Sequence, residues 1–323
     1  MGVSYFSLMK ILVVQIGKIG DMTLTTPLFR AIQQASPQAQ IHVLASHRGA
    51  PVIRGSPRVK KIVIYRKDPL GFLFFLIKMR STRYDFLIDP KDHFSTESAI
   101  IAKMSGADVK IGFNRPGQKV FSHSLPAQEE NFVMCACARN LLPLKFLGIP
   151  DNSDIRPELF PDPLLQAKIR DRYDLKGART ILLNLSAGDA YRRWEVEKWS
   201  AVARFCLDKG FQVLLSFQPS DAALAQRVQQ LQPKAFLFDS KSIREMIAII
   251  PLIRLIVTPD TSIVHIASAF NIPQVALFPP VEWNLNKFRP LSDRSIVLQP
   301  KEGEFIASIR AQDVIAAIES QLG

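Results

Sequence analysis

Short apolar runs that stop at Gly, Ser or Pro alternate with helix-spaced stretches along most of this chain, and that alternation leaves few folds open. "KILVVQIG" (Lys10–Gly17) is short, rich in β-branched residues and closed by a glycine, the pattern of a strand buried inside a parallel sheet. "PLFRAIQQAS" follows with helical spacing, then "QIHVLAS", "KKIVIY" and "YDFLIDP" as further strands, "ESAIIAKMSG" as a helix and "VKIGF" as a fifth strand. A helical stretch around residues 131–147 closes the series, and "PDNSDIRPELFPDP" (Pro150–Pro163), rich in Pro and Asp, reads as a linker. The pattern then restarts: "RTILLNLSAG", "FQVLLSF", "AFLFD", "RLIVTPD" and "QVALF" are strands, with helices between them, one of them capped by Ser220, and a terminal helix in "AQDVIAAIESQLG". Such alternation implies right-handed βαβ units in a doubly wound sheet. The chain has 323 residues, too many for one core. The expectation is an α/β protein of two Rossmann-like domains, residues 1–155 and 156–323, facing each other across a cleft, with ligands at the carboxyl ends of the strands.

The charge is uneven. The net charge is +12, and residues 1–155 carry 20 Lys and Arg against 11 Asp and Glu, while the remainder carries 21 against 18. A basic first half suits an anionic partner such as a phosphorylated lipid or a membrane surface. No basic run interleaved with aromatics is present, so nucleic acid is not expected. Three cysteines, Cys135, Cys137 and Cys206, are too few for a disulfide framework and read as reduced thiols. "MGVSYFSLMK" lacks the parts of a signal peptide and reads as an extension before a start near Met9. "LGFLFFLIKMR" (Leu70–Arg80) is too short to span a bilayer. It reads as a helix packed on the sheet, with a face on a membrane surface as the alternative.

Three junctions carry the polar residues. In "QIGKIGDMTLTTP" (Gln15–Pro27) two glycines close the first strand-to-helix turn and Asp21 follows. The spacing G-x-x-G-D is not the dinucleotide fingerprint, which speaks against a nicotinamide enzyme. Asp21 is either a proton acceptor or a helix cap, and the helix starts at Asp21 with a kink at Pro27 or at Pro27 itself. In "NLSAGDAYRRWEVEKW" a strand ends near Ser186, and Arg192 and Arg193 follow on a loop suited to a pyrophosphate. In "VTPDTSIVHIASAF" a strand ends at Asp260 and a helix opens at Thr261 and Ser262, with His265 one turn in. A helix amino terminus is an anion site; the alternative is a capped helix with a core histidine. No D-x-D and no ligand-spaced His/Cys/Asp cluster occurs, so neither metal nor cofactor is expected.

These motifs, in this order, resemble glycosyltransferase family 9, the bacterial lipopolysaccharide heptosyltransferases of GT-B fold. The resemblance covers nearly the whole chain. It implies an inverting, metal-independent transferase with ADP-L-glycero-D-manno-heptose as donor and the anionic lipid A–core as acceptor, cytoplasmic and peripheral to the inner membrane. It implies that Asp21 is the catalytic carboxylate, that Arg192 serves the donor phosphates with Arg193 as neighbouring candidate, and that Asp260 contacts the donor sugar. Ser186, Thr261, Ser262 and His265 would complete the donor site, and Asp221 would meet the ribose. The acceptor would be held by the basic first domain, with Arg48, Arg54, Arg58, Lys60, Lys61 and Lys91 as candidates. Ser262 stands where the family has Gly, and "DPKDHFSTES" departs from its commonest form. A transferase of the same fold acting on a protein or another glycan, and a non-catalytic nucleotide-sugar binder, are the alternatives.

Overall fold

The computed structural model describes residues 9–66, 68, 79, 81–126, 132–150, 154–175, 179–188 and 192–322. Residues 1–8 lie outside that description, as does the Leu70–Arg80 stretch apart from Met79, whose side chain is buried. The chain divides into two compact units, Met1–Phe160 and Pro161–Gly323.

In the first unit the elements are β1 (Lys10–Gln15), α1 (Ile19–Ala35), β2 (Gln40–Ala45), β3 (Lys61–Ile64), β4 (Phe86–Ile88), α2 (Thr96–Met104), β5 (Val109–Gly112), β6 (His123–Ser124) and α3 (Ala136–Leu141). The second holds α4 (Pro163–Arg172), β7 (Thr180–Asn184), α5 (Val196–Asp208), β8 (Gln212–Ser216), α6 (Ala222–Leu231), β9 (Phe236–Phe238), α7 (Ile243–Ile249), β10 (Leu255–Pro259), α8 (Ser262–Ala269), β11 (Gln274–Leu277), α9 (Glu282–Phe288), β12 (Ser295–Leu298) and α10 (Ala311–Leu322). Among the described residues each unit has one six-stranded sheet, ordered β3-β2-β1-β4-β5-β6 in the first and β12-β11-β10-β7-β8-β9 in the second. Every pair is parallel. The two orders are the same pattern, reversing direction between β1 and β4 and between β7 and β10. In such sheets the loops leaving the carboxyl ends of those two central strands frame the ligand crevice.

The apolar strands are central for a simple reason. Ile11 to Val14 and Leu255 to Val257 have no exposed surface, because each strand has a neighbour on both edges. In the second unit Trp194 and Trp199 meet edge to face at 4.8 Å, and the Trp194 indole donates to the Ile309 carbonyl at 2.9 Å. All three cysteines are buried and unpaired, and burial pushes the Cys206 thiol up to about 12. Among the described residues no helix is long and apolar enough to cross a membrane.

Several elements differ from the sequence reading. Helix α1 begins at Ile19 and continues through Pro27. Proline leaves the Thr23 carbonyl without its usual N–H donor, and the Thr26 hydroxyl donates to it instead at 2.8 Å. Helix α6 starts at Ala222, and Ser220 lies in the preceding 3₁₀ turn with its hydroxyl on Asp221. The segment after Pro150 is tied to the first unit: the Glu158 N–H donates to Thr26 Oγ1 at 2.8 Å, Arg30 donates to the Asp154 and Arg156 carbonyls, and Arg58 forms a bidentate pair with Glu158. The first unit accordingly extends to Phe160.

Candidate active site

The loop after β1 is built around Gly17. Its N–H donates to Gln15 Oε1 at 3.2 Å, and its carbonyl accepts from the Ser46 hydroxyl at 2.7 Å. A Cβ on Gly17 would stand 2.5 Å from Asp21 Oδ2, so only glycine leaves the carboxylate its place. Asp21 is the third residue of α1, and its Oδ2 accepts the Lys18 N–H at 2.7 Å, the acidic half of a capping box. No described residue donates to Oδ1. One oxygen thus serves the helix and one is open, so the cap and the proton acceptor are not exclusive roles. Thr25 steadies the turn, donating to the Asp21 carbonyl at 2.7 Å and accepting from Gln15 Nε2 at 2.8 Å.

Sequence reasoning missed a buried ionic group at the end of β4. Asp89 and Arg139 are each 3 % exposed. Burial pushes the Asp89 carboxyl up, and Lys91, Ser98 and Arg139 oppose that push. Arg139 donates to the Pro90 carbonyl, and its Nε and Nη2 have no partner among the described residues. Its neighbour Asn140 donates to the Leu24 carbonyl of α1 at 3.0 Å.

The six basic side chains expected on the acceptor are not gathered together. Arg48 and Lys91 follow the carboxyl ends of β2 and β4, the end at which Asp21 sits. Lys91 Nζ donates to the hydroxyls of Ser95 and Ser98 at 3.0 and 3.1 Å. Arg54 follows a 3₁₀ turn of residues Ala50–Ile53, and Arg58 is paired with Glu158. Lys60 and Lys61 stand at the amino end of β3, and Lys10 opens β1 at the same end of the sheet, on the far side of β2. Burial, then Lys61, Lys10 and Lys60, push the buried His42 there down to about 4. The parallel direction of the strands therefore puts these lysines at the opposite end of the sheet.

In the second unit the loops after β7 and β10 converge. Asn184 Nδ2 donates to Thr258 Oγ1 at 2.9 Å and to Thr261 Oγ1 at 3.3 Å. Thr261 caps α8, accepting from the Ile263 N–H, so Ser262 opens the helix. Arg192 Nη1 lies 2.8 Å from Asp260 Oδ2 and 3.0 Å from the Asp260 carbonyl oxygen. Asn284, from α9, donates to the same Oδ2 at 2.9 Å. Burial pushes the Asp260 carboxyl up, and Arg192 and then Asn284 work against it. Ser186 Oγ accepts the Gln218 N–H at 2.7 Å, joining the ends of β7 and β8. Arg193 parts from Arg192: it lies 3.5 Å from Asp221, which is buried. His265 is also buried, its ring 6.0 Å from that of Phe288, and burial lowers it to about 4, so it is neutral at physiological pH.

Within the second unit, the start of α8 with its two hydroxyls, the Arg192 guanidinium and the Asp260 carboxylate with one oxygen committed can hold an anion and a hydroxyl-bearing group side by side. Among the described residues no group of three His, Cys, Asp or Glu could hold a metal ion. Residues 75–313 match the family model described as glycosyltransferase family 9 (heptosyltransferase). The chain belongs to glycosyltransferase family 9. The resemblance read in the sequence is thereby borne out, and the family member is a glycosyltransferase. It is 26 % identical over 336 residues to lipopolysaccharide heptosyltransferase 3 of Escherichia coli, covering 94 % of this chain and 96 % of that one. The family 9 glycosyltransferase of Veillonella parvula superimposes with a TM-score of 0.86 at 20 % identity, covering 98 % of both chains. The ADP-heptose lps heptosyltransferase II of E. coli gives 0.81 at 22 % identity, covering 97 % of this chain and 98 % of that one. The two-unit α/β fold expected from the sequence is the GT-B fold of these structures.

Proposed function

We propose that this protein moves a heptose from ADP-L-glycero-D-manno-heptose to the inner core of lipopolysaccharide, with inversion and without a metal ion. The observation that carries the reading is the Arg192–Asp260 pair at the start of α8, 2.8 Å apart. The names of the two E. coli relatives supply the sugar and the acceptor class. In this account the second unit holds the ADP-sugar. The acceptor hydroxyl attacks the anomeric carbon as the bond to the ADP oxygen breaks, a single displacement that inverts the centre. The acceptor's proton passes to the open oxygen of Asp21. The electron pair leaves on the phosphate, where Arg192 and the amino terminus of α8 meet the growing charge, the task a metal performs in D-x-D enzymes. Arg48 and Lys91 are the favoured acceptor contacts, because they share the Asp21 end of the sheet. A lipid-anchored acceptor would place the enzyme at the cytoplasmic face of the inner membrane.

The test is transfer from ADP-heptose to a heptose-deficient core lipid, followed by mass spectrometry. Asp21→Asn should lower turnover by about 10²- to 10⁴-fold, the usual scale for loss of a general base, and leave ADP affinity within a few-fold. EDTA should leave the wild-type rate unchanged. Wild-type turnover by the Asn variant would reduce Asp21 to a cap. Loss on chelation, restored by Mg²⁺, would remove the metal-free step.

A further inference from the structure

Asn284 is the odd residue of α9. Of the seven residues Glu282–Phe288 it alone is fully buried, at 3 % exposure, whereas its apolar neighbours Leu285 and Phe288 are only partly buried. A buried amide is costly unless its polar atoms are bonded, and the bond it makes is the one to Asp260 Oδ2. That oxygen also faces Arg192, so both donors converge on one atom. No described residue donates to Asp260 Oδ1.

We propose that Asn284 is a positioning residue of the donor site: with Arg192 it fixes one oxygen of Asp260 so that the other is held out for a hydroxyl of the transferred sugar. The proposal rests on the transferase reading above. Among the described residues Arg192, from the loop after β7, is the charged group that faces Asp260, and Asn284 the neutral donor; both favour the ionised carboxylate against its burial. Removing the amide therefore moves the loss of ionisation toward higher pH. It also leaves the carboxylate free to turn about Arg192. ADP lacks the heptose and does not need Oδ1, so its affinity is the internal control.

The experiment compares wild type, Asn284→Leu, which keeps the branching at Cγ and removes the donor, and Asn284→Asp, which keeps the shape and replaces the donor with a carboxylate. Calorimetric titration with ADP and with ADP-heptose is paired with turnover followed down the acid limb of the pH profile, because burial raises the Asp260 carboxyl. Both variants should bind ADP within about threefold of wild type. They should bind ADP-heptose about tenfold more weakly and turn over at least about tenfold more slowly, the scale of one hydrogen bond to a charged group. The acid limb of the Leu variant should move to higher pH. The Asp variant should lose most at high pH, where two adjacent carboxylates would both be ionised. Wild-type ADP-heptose affinity and pH profile in the Leu variant would overturn the proposal, as would equal weakening of ADP and ADP-heptose, which marks a packing role. Wild-type protein that binds ADP-heptose but transfers nothing overturns the transferase reading instead, and the affinity ratio of the Leu variant still decides the role of Asn284.

Discussion

Arg192 and Arg193 leave the same loop and bond to different strand ends, Arg192 to Asp260 after β10 and Arg193 to Asp221 after β8. Their environments set different consequences for removal. Arg192 is mostly covered, and Asp260 is buried beneath it with Asn284 as its other donor. Arg192→Ala takes away the charge assigned to the leaving phosphate and strands a buried carboxylate. Turnover should fall by about 10²- to 10³-fold, as for other preorganised donors. Because Arg192 also opposes the burial that pushes Asp260 up, the acid limb of the activity profile should move to higher pH. Arg193 is 55 % exposed and its pair with Asp221 is long at 3.5 Å, so solvent screens most of its charge. Arg193→Ala should change kcat/KM by no more than about fivefold. Steady-state kinetics of the two variants across pH, with ADP titration, decide it. The reverse ranking would hand the phosphate to Arg193. Both arginines, Asp21 and Asp260 were legible in the sequence because each stands at a strand-to-helix junction whose meaning is local. Asn284 and Arg139 were not, since their partners lie 24 and 49 residues away and only the fold brings them together.

At the level of elements, the same contrast separates what was read from what was missed. The central strands announce themselves because burial on both faces demands unbroken apolar runs, as in "ILVV" and "LIV". The edge strands β6 and β12 are only two and four residues long, and the residues of β12 are all partly exposed, so neither has a pattern to show. Helix α4 hides in a Pro-rich stretch because Pro163 is its first residue, a position that needs no N–H. The start of α1 was misplaced because Gly20 and Pro27, ordinarily breakers, both lie inside it. Thr26 makes the proline tolerable, and it does so twice: its hydroxyl donates to the Thr23 carbonyl and accepts the Glu158 N–H. Thr26→Val keeps the shape and removes both bonds in a side chain that is 4 % exposed. Each such bond is worth about 1 kcal/mol, with more lost where a buried carbonyl stays unpaired. Urea denaturation should show a loss of about 1–3 kcal/mol. A variant as stable as wild type would mean that α1 satisfies Thr23 in some other way.

For the molecule as a whole, the uneven charge of the sequence becomes a question of which end of a sheet the charge occupies. Residues 1–155 hold 20 basic against 11 acidic side chains. The fold sends Lys10, Lys60 and Lys61 to the amino end of the first sheet, around His42, and pairs Arg58 with Glu158. Arg48 and Lys91 remain at the carboxyl end, with Asp21. If an anionic acceptor reacts at Asp21, only the second group should matter to its binding. Arg48→Glu and Lys91→Gln should each raise the acceptor KM by about fivefold or more, one lost or reversed charge contact near the surface being worth about 1 kcal/mol or more. Lys60→Glu and Lys61→Glu should leave it within about twofold. Added salt should act in the same direction on the wild type, because exposed charges are screened beyond about 8 Å at physiological ionic strength, whereas the mostly covered Arg192 is screened less. The KM for ADP-heptose should therefore move less than that for the acceptor. Both constants, measured at low and high salt for wild type and these variants, decide between the two ends. An acceptor KM that responds to Lys60 and Lys61 instead would move the anionic contact to the far edge of the sheet. One that ignores salt and all four substitutions would favour a small neutral acceptor over a phosphorylated lipid.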